Sequence, residues 1–112
     1  MAIVRIDSLR TLGFAGISGT YAAIGAPTAF NWRMFRVINN TDGDMIISVD
    51  GTTDNLFVPA FSFVLYDCST NVANVKNTDT FVIALKTQFY VKQSTAATKG
   101  SVWVEGVYAK GV

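Results

Sequence analysis

The sequence contains no histidine, a single cysteine, two prolines and few charges. Histidine is the side chain whose unperturbed pKa lies nearest neutrality and the commonest metal ligand, so its absence removes the usual proton shuttle and the usual anchor of a metal centre. Cys68 stands alone and can neither close an intrachain disulfide nor form a thiolate cluster. With no imidazole to activate it, it reads as a small half-buried residue at a strand end, in a chain made in a reducing cytoplasm. Charged residues make up 15% of the chain, against about 25% in ordinary domains. Nine basic and eight acidic residues leave a net charge of +1. They are scattered and build no field that would steer the chain to phosphates, so nucleic acid is not an expected partner.

A long apolar run is missing as well. Thr11 to Trp32 carries no charge and follows Arg5 and Arg10, which invites comparison with a signal peptide or a membrane span. Asp7 interrupts that basic leader, however, and Gly13, Gly16, Ser18, Gly19, Thr20, Gly25 and Pro27 dilute the hydrophobicity that insertion requires. No membrane association is expected. The stretch reads as a strand over Ala2 to Ile6, then a Gly/Ala-rich extended segment with one strand near Gly19 to Ile24.

Half of the residues are hydrophobic, in a chain of 112 residues. That length holds one core, and a small domain cannot hide so much apolar side chain, so some of it should face a partner. The remainder of the chain alternates strand-like runs with turn clusters. Trp32 to Asn39 ends at Asn40-Thr41-Asp42-Gly43, and Met45 to Val49, with Met45, Ile47 and Val49 inward, ends at Asp50-Gly51. Leu56 to Val58 and Phe61 to Tyr66 flank Pro59, which marks a break or an edge; Phe61, Phe63 and Leu65 share one face. After a polar interval come Phe81 to Leu85, Gln88 to Lys92 and Ser101 to Tyr108. The last strand has Val102, Val104 and Tyr108 on one face and Trp103, Glu105 and Val107 on the other.

About eight strands and no helix indicate an all-β fold, an antiparallel β-sandwich of jelly-roll-like type, with a lipocalin-like barrel as the alternative. Residues 1–30 form the N-terminal strand and an extended arm, able to lie along a neighbouring subunit, and 31–112 form the body of a single domain.

Signatures of chemistry fail one by one. Asn40-Thr41-Asp42-Gly43-Asp44 begins like a calcium loop, but glycine stands fourth, Met45 sixth, and no glutamate closes it. Asp42, Asp44, Asp50 and Asp54 would have to converge from neighbouring turns to hold an ion, and no metal or cofactor is assigned. Gly13 to Gly19 spells G-x-x-G-x-x-G without the Lys-Ser or Lys-Thr and the βαβ setting of a phosphate loop. No serine-lysine pair stands out, and an enzyme is not expected. Most of the phenylalanines sit at alternating positions that predict core packing. Tyr90 and Trp103 lie opposite the inward sets, which makes them either outward anchors at an interface or part of a second buried face.

The run Ser48-Val49-Asp50-Gly51-Thr52-Thr53-Asp54-Asn55, followed by Phe57-Val58-Pro59-Ala60 and Phe63-Val64-Leu65-Tyr66-Asp67, resembles the middle of small virion structural proteins of tailed bacteriophages. Gln88-Phe89-Tyr90-Val91-Lys92 and Gly100-Ser101-Val102-Trp103-Val104 extend the likeness, which contains no invariant motif and transfers no functional residue. It implies a non-enzymatic capsid decoration or cement protein in the virion. Such a protein would bind the major capsid protein and form a homo-oligomer, dimer or trimer. A head-to-tail connector or tail protein is the alternative, and a carbohydrate- or receptor-binding module a more distant one. On this reading the arm, Ala2 to Phe30, with the interface residues Ile3, Val4, Ile6 and Tyr21, lies in a groove of a neighbour or adds a strand to it, while Tyr90 and Trp103 of the body anchor a dimer or capsid contact.

Overall fold

Side-chain alternation decides which way each strand faces, and the two longest strands show it most clearly. In the computed structural model, which describes residues 2–68 and 83–111, β4 (Trp32–Thr41) buries Phe35, Val37, Asn39 and Thr41 while Arg36, Ile38 and Asn40 point away. The longest strand, β9 (Gly100–Gly111), buries Val102, Val104 and Gly106 on the same side. The other strands are β1 (Ala2–Ile6), β2 (Arg10–Gly13), β3 (Ala22–Ala23), β5 (Met45–Ser48), β6 (Leu56–Val58), β7 (Ser62–Asp67) and β8 (Tyr90–Gln93). A single 3₁₀ turn, Phe14–Gly16, follows β2.

All pairings are antiparallel, in two sheets. One runs β1-β9-β4-β7, with β2 pairing the first half of β9 along the edge whose second half β1 occupies; the other runs β3-β8-β5-β6. Most connections cross from one sheet to the other, and β5 to β6 is the hairpin kept within the smaller sheet. Packed as a sandwich, the sheets enclose Phe35, Val37, Val102 and Val104 from the larger one and Met45, Ile47, Val58 and Val91 from the smaller, with Ile17, Ile24, Trp32 and Phe89 completing the cluster. Each such side chain contributes about 1.5–3 kcal/mol by leaving water. Trp32 needs room that only glycine leaves: a Cβ on Gly106 would lie 2.1 Å from its ring.

Several expectations are corrected. The N-terminal segment is not a free arm, because β1 and β2 complete the ladder of β9 and β3 pairs with β8, so Ala2–Ile6, Arg10–Gly13 and Ala22–Ala23 anchor it to the two sheets. The strand β2 was not legible, its apolar alternation being diluted by Arg10, Thr11 and Gly13. Near Gly19 to Ile24 only Ala22–Ala23 pairs, although Ile24 is fully buried. Val49 is exposed, since Ser48 and Asp50 already turn the chain there through hydrogen bonds to one another. The phenylalanines divide against the core: Phe35 and Phe89 are buried, whereas Phe14, Phe30, Phe57, Phe61 and Phe63 are exposed. Of the segment Phe81 to Leu85, the first two residues lie outside the described residues; Ile83 bridges to Trp32 through hydrogen bonds of 2.8 Å in each direction.

Candidate interaction surface

Residues opposite one another in an antiparallel ladder point to the same face. Reading the register across the larger sheet therefore gives the composition of its outer side. One row runs Phe63, Ile38, Trp103, Thr11; the next Leu65, Arg36, Glu105; the next Asp67, Met34, Val107, Ile6; beyond it Val4 lies opposite Ala109. Val4, Ile6, Leu9, Phe63 and Leu65 are each more than half exposed. Between the β1–β2 edge and the middle of the sheet, Leu9, Ile38, Asn40, Trp103 and Glu105 line an open depression of about 330 Å³. Among the described residues of these rows, the charged ones are Arg36, Glu105 and, at the β7 edge, Asp67. Arg36 Nε donates to Glu105 Oε1 at 2.6 Å, and its guanidinium lies 5.5 Å from the Phe63 ring centroid.

The outer side of the smaller sheet is built differently. Its rows are Ala23, Tyr90, Ser48 and Lys92, Ile46, Phe57. Tyr21 Oη donates to Asp54, Lys92 Nζ lies 3.0 Å from Asp54 Oδ1, and the same ammonium sits 4.8 Å from the Tyr21 ring centroid. Loss of hydration, the hydrogen bond to Asp54 and the negative charges of Asp54 and Asp50 push the Tyr21 phenol up to about 12. Phe57 is more than half exposed, beside a depression of about 230 Å³ that it lines with Ile46, Asp54, Asn55 and Leu56. At the turn between β6 and β7, Phe61 combines exposure with a φ of 55°, a backbone state that costs an L-residue about 1–2 kcal/mol.

The six residues expected at interfaces fall on different sides of the domain. Val4, Ile6 and Trp103 share the outer side of the larger sheet, Ile3 alternates to its other side and is half-buried, and Tyr21 and Tyr90 belong to the opposite sheet. Trp103 and Tyr90 do point outward, each half-buried by its neighbours. Leu9, Phe57, Phe61, Phe63 and Leu65 were missed as surface groups. Alternation in Phe61, Phe63 and Leu65 showed that they share a face and left open which one; the apolar Val64 and Tyr66 between them were the sign of a strand with two apolar sides.

The acidic turns are occupied by the chain itself. Asp42 accepts from Thr98 N at 2.7 Å, Asp44 from Ala60 N at 3.0 Å, and Asp50 from Thr52 N at 2.8 Å and Thr53 N at 2.7 Å. Among the described residues no three acidic or sulfur groups converge as metal ligands. Burial and the neighbouring Asp67 carboxylate push the Cys68 thiol up, away from the reactive thiolate. No helix among the described residues is long and apolar enough to cross a membrane. Compared with protein-family models, with curated proteins and with solved structures, the chain finds no match.

Proposed function

We propose that this chain is a non-enzymatic structural protein of a phage virion, one that decorates the assembled capsid and holds neighbouring capsid subunits together. The observation that carries this reading is apolar exposure on two opposite sides of one small domain: Val4, Ile6, Phe63 and Leu65 on the larger sheet, Phe57 with Ile46 on the smaller. A protein that binds one partner needs one such side. A domain that bridges two neighbours needs two, and each apolar patch covered in the assembly contributes free energy that the dissociated parts lack. We take the assembly to be a capsid from the sequence resemblance to small virion proteins.

The strand order supports the same reading more weakly. Taking β1 and β2 as one interrupted strand leaves eight strands in two interlocked sheets, which we read as a jelly roll, an architecture used in viral shells and also in lectins. Two opposed binding sides would equally suit a subunit passed head to tail around a connector or tail ring. Copy number separates these. Quantitative mass spectrometry of purified particles should find the chain in proportion to the major capsid protein. A ring-sized count would move it to the connector or tail, and absence from particles would remove it from the virion.

A further inference from the structure

The outer side of the larger sheet has a feature that restricts what can cover it. Arg36 and Glu105 sit side by side near its middle, with side chains 40% and 36% exposed. Phe63, Leu65, Ile38, Trp103, Met34 and Val107 surround them. A purely apolar partner would strip water from this pair and leave the remaining guanidinium donors and carboxylate lone pairs unmatched, a costly arrangement. The occupant must therefore offer polar or charged partners to Arg36 and Glu105, on a surface whose other charge in these rows is Asp67 at the β7 edge.

A second copy of the chain meets that requirement. We infer that this side is a two-fold interface between identical subunits. Consider an axis lying in the interface, parallel to the strands and between β4 and β9. It lays β4 over the β9 of the second copy and sets Arg36 against the partner's Glu105, and Glu105 against the partner's Arg36. The same rotation lays the β7 edge over the opposite edge of the second copy, row upon row: Phe63 over Thr11, Leu65 over the depression beside Leu9, and Asp67, at the rim, over Ile6. A two-fold contact is self-complementary in this sense: what projects at one edge meets what recedes at the other. Ladder spacings of about 4.8 Å between strands and about 6.8 Å between rows make the face roughly 600 Å² in projection. That is of the order of the about 800 Å² that each partner buries in a standard interface.

This inference deepens the proposed function and rests on its assignment of the larger sheet to protein contact; the smaller sheet, with Phe57, is then left for the shell. Sedimentation equilibrium on the full chain tests it. The wild type is expected to be dimeric at micromolar concentration, and Phe63→Ser, at an exposed site, to raise the dimer dissociation constant about tenfold or more. Arg36→Glu and Glu105→Arg, each with an unchanged circular dichroism spectrum, should be monomeric alone because like charges then face each other. Mixed in equal amounts they should form a heterodimer, since both crossing contacts regain opposite charges. A wild type monomeric at about 100 μM, a trimer, or a mixture no more associated than its components overturns the inference. A chain abundant in particles but monomeric in solution would overturn the dimer and leave the decoration reading standing; a dimer absent from particles would do the reverse.

Discussion

Asp7 is the residue on which the packing of the N-terminal segment turns. Its carboxylate accepts from Ser8 N at 2.7 Å, Ala29 N at 3.1 Å and Trp32 Nε1 at 3.0 Å, and lies 3.2 Å from Arg10 Nη1. Arg10 in turn donates to Ala26 O at 3.0 Å and Pro27 O at 2.6 Å, so a buried ion pair ties the strand edge to the loop that leads into β4. Asp7→Ala should cost about 3–5 kcal/mol in urea unfolding, because it leaves the buried Arg10 charge without its carboxylate and the Trp32 indole N–H without an acceptor; a loss under about 1 kcal/mol would contradict that role. Burial raises the Asp7 pKa, but the hydrogen bonds from Ala29, Trp32, Ser8 and Arg10 outweigh it and hold it below the usual carboxylate range. Hydrogen bonds do the same for Asp42, Asp50 and Asp54. The unfolded chain then takes up protons at higher pH than the folded one. The stability these groups supply is complete above about pH 4 and lost as pH falls through their depressed folded values. A urea midpoint that stays flat down to about pH 2 would contradict this. Phe61 carries the opposite trade. Phe61→Gly relieves a positive φ, so stability should hold or rise by up to about 1 kcal/mol. On the proposed function, binding to assembled capsids, measured by co-sedimentation, should weaken; unchanged binding would show that Phe61 makes no contact there.

At the level of elements, the N-terminal strands decide whether the first thirty residues are an arm or part of the body. A dispensable arm would leave the fold intact when removed. Here deletion of residues 1–13 takes away β1, β2 and the Asp7–Arg10 pair together, and exposes one whole edge of β9. Loss of cooperative thermal unfolding is the expected result, and a native-like transition would restore the arm. The contrast explains which elements the sequence reveals. Strands β5 and β6 were legible because Asp50-Gly51 and Pro59 punctuate them and their inward residues alternate. For β2 the controlling facts are a partner ninety residues away and a buried arginine, neither of which leaves a local period. Edge strand β7 was legible as a strand yet not by side, since both its faces are apolar and only the pairing of Phe63 with Ile38 shows which one water touches. The candidate surface inherits that ambiguity: Trp103, Val4 and Ile6 were readable from alternation, while Leu9 joins them only through the break between β1 and β2.

For the whole molecule, the proposed function requires that a domain with exposed apolar groups on both outer sides be covered on both when it is in place. The dimer proposed for the larger sheet and the shell contact left to the smaller one make a single arrangement, and a particle-bound chain should display both at once. Hydroxyl-radical footprinting reads this directly, comparing side-chain oxidation in purified particles with that of the dilute monomer. Protection is expected together at Phe63 and Leu65 on one side and at Phe57 on the other. Protection of one side alone, or oxidation in particles equal to that of the free chain, would contradict a bridging role.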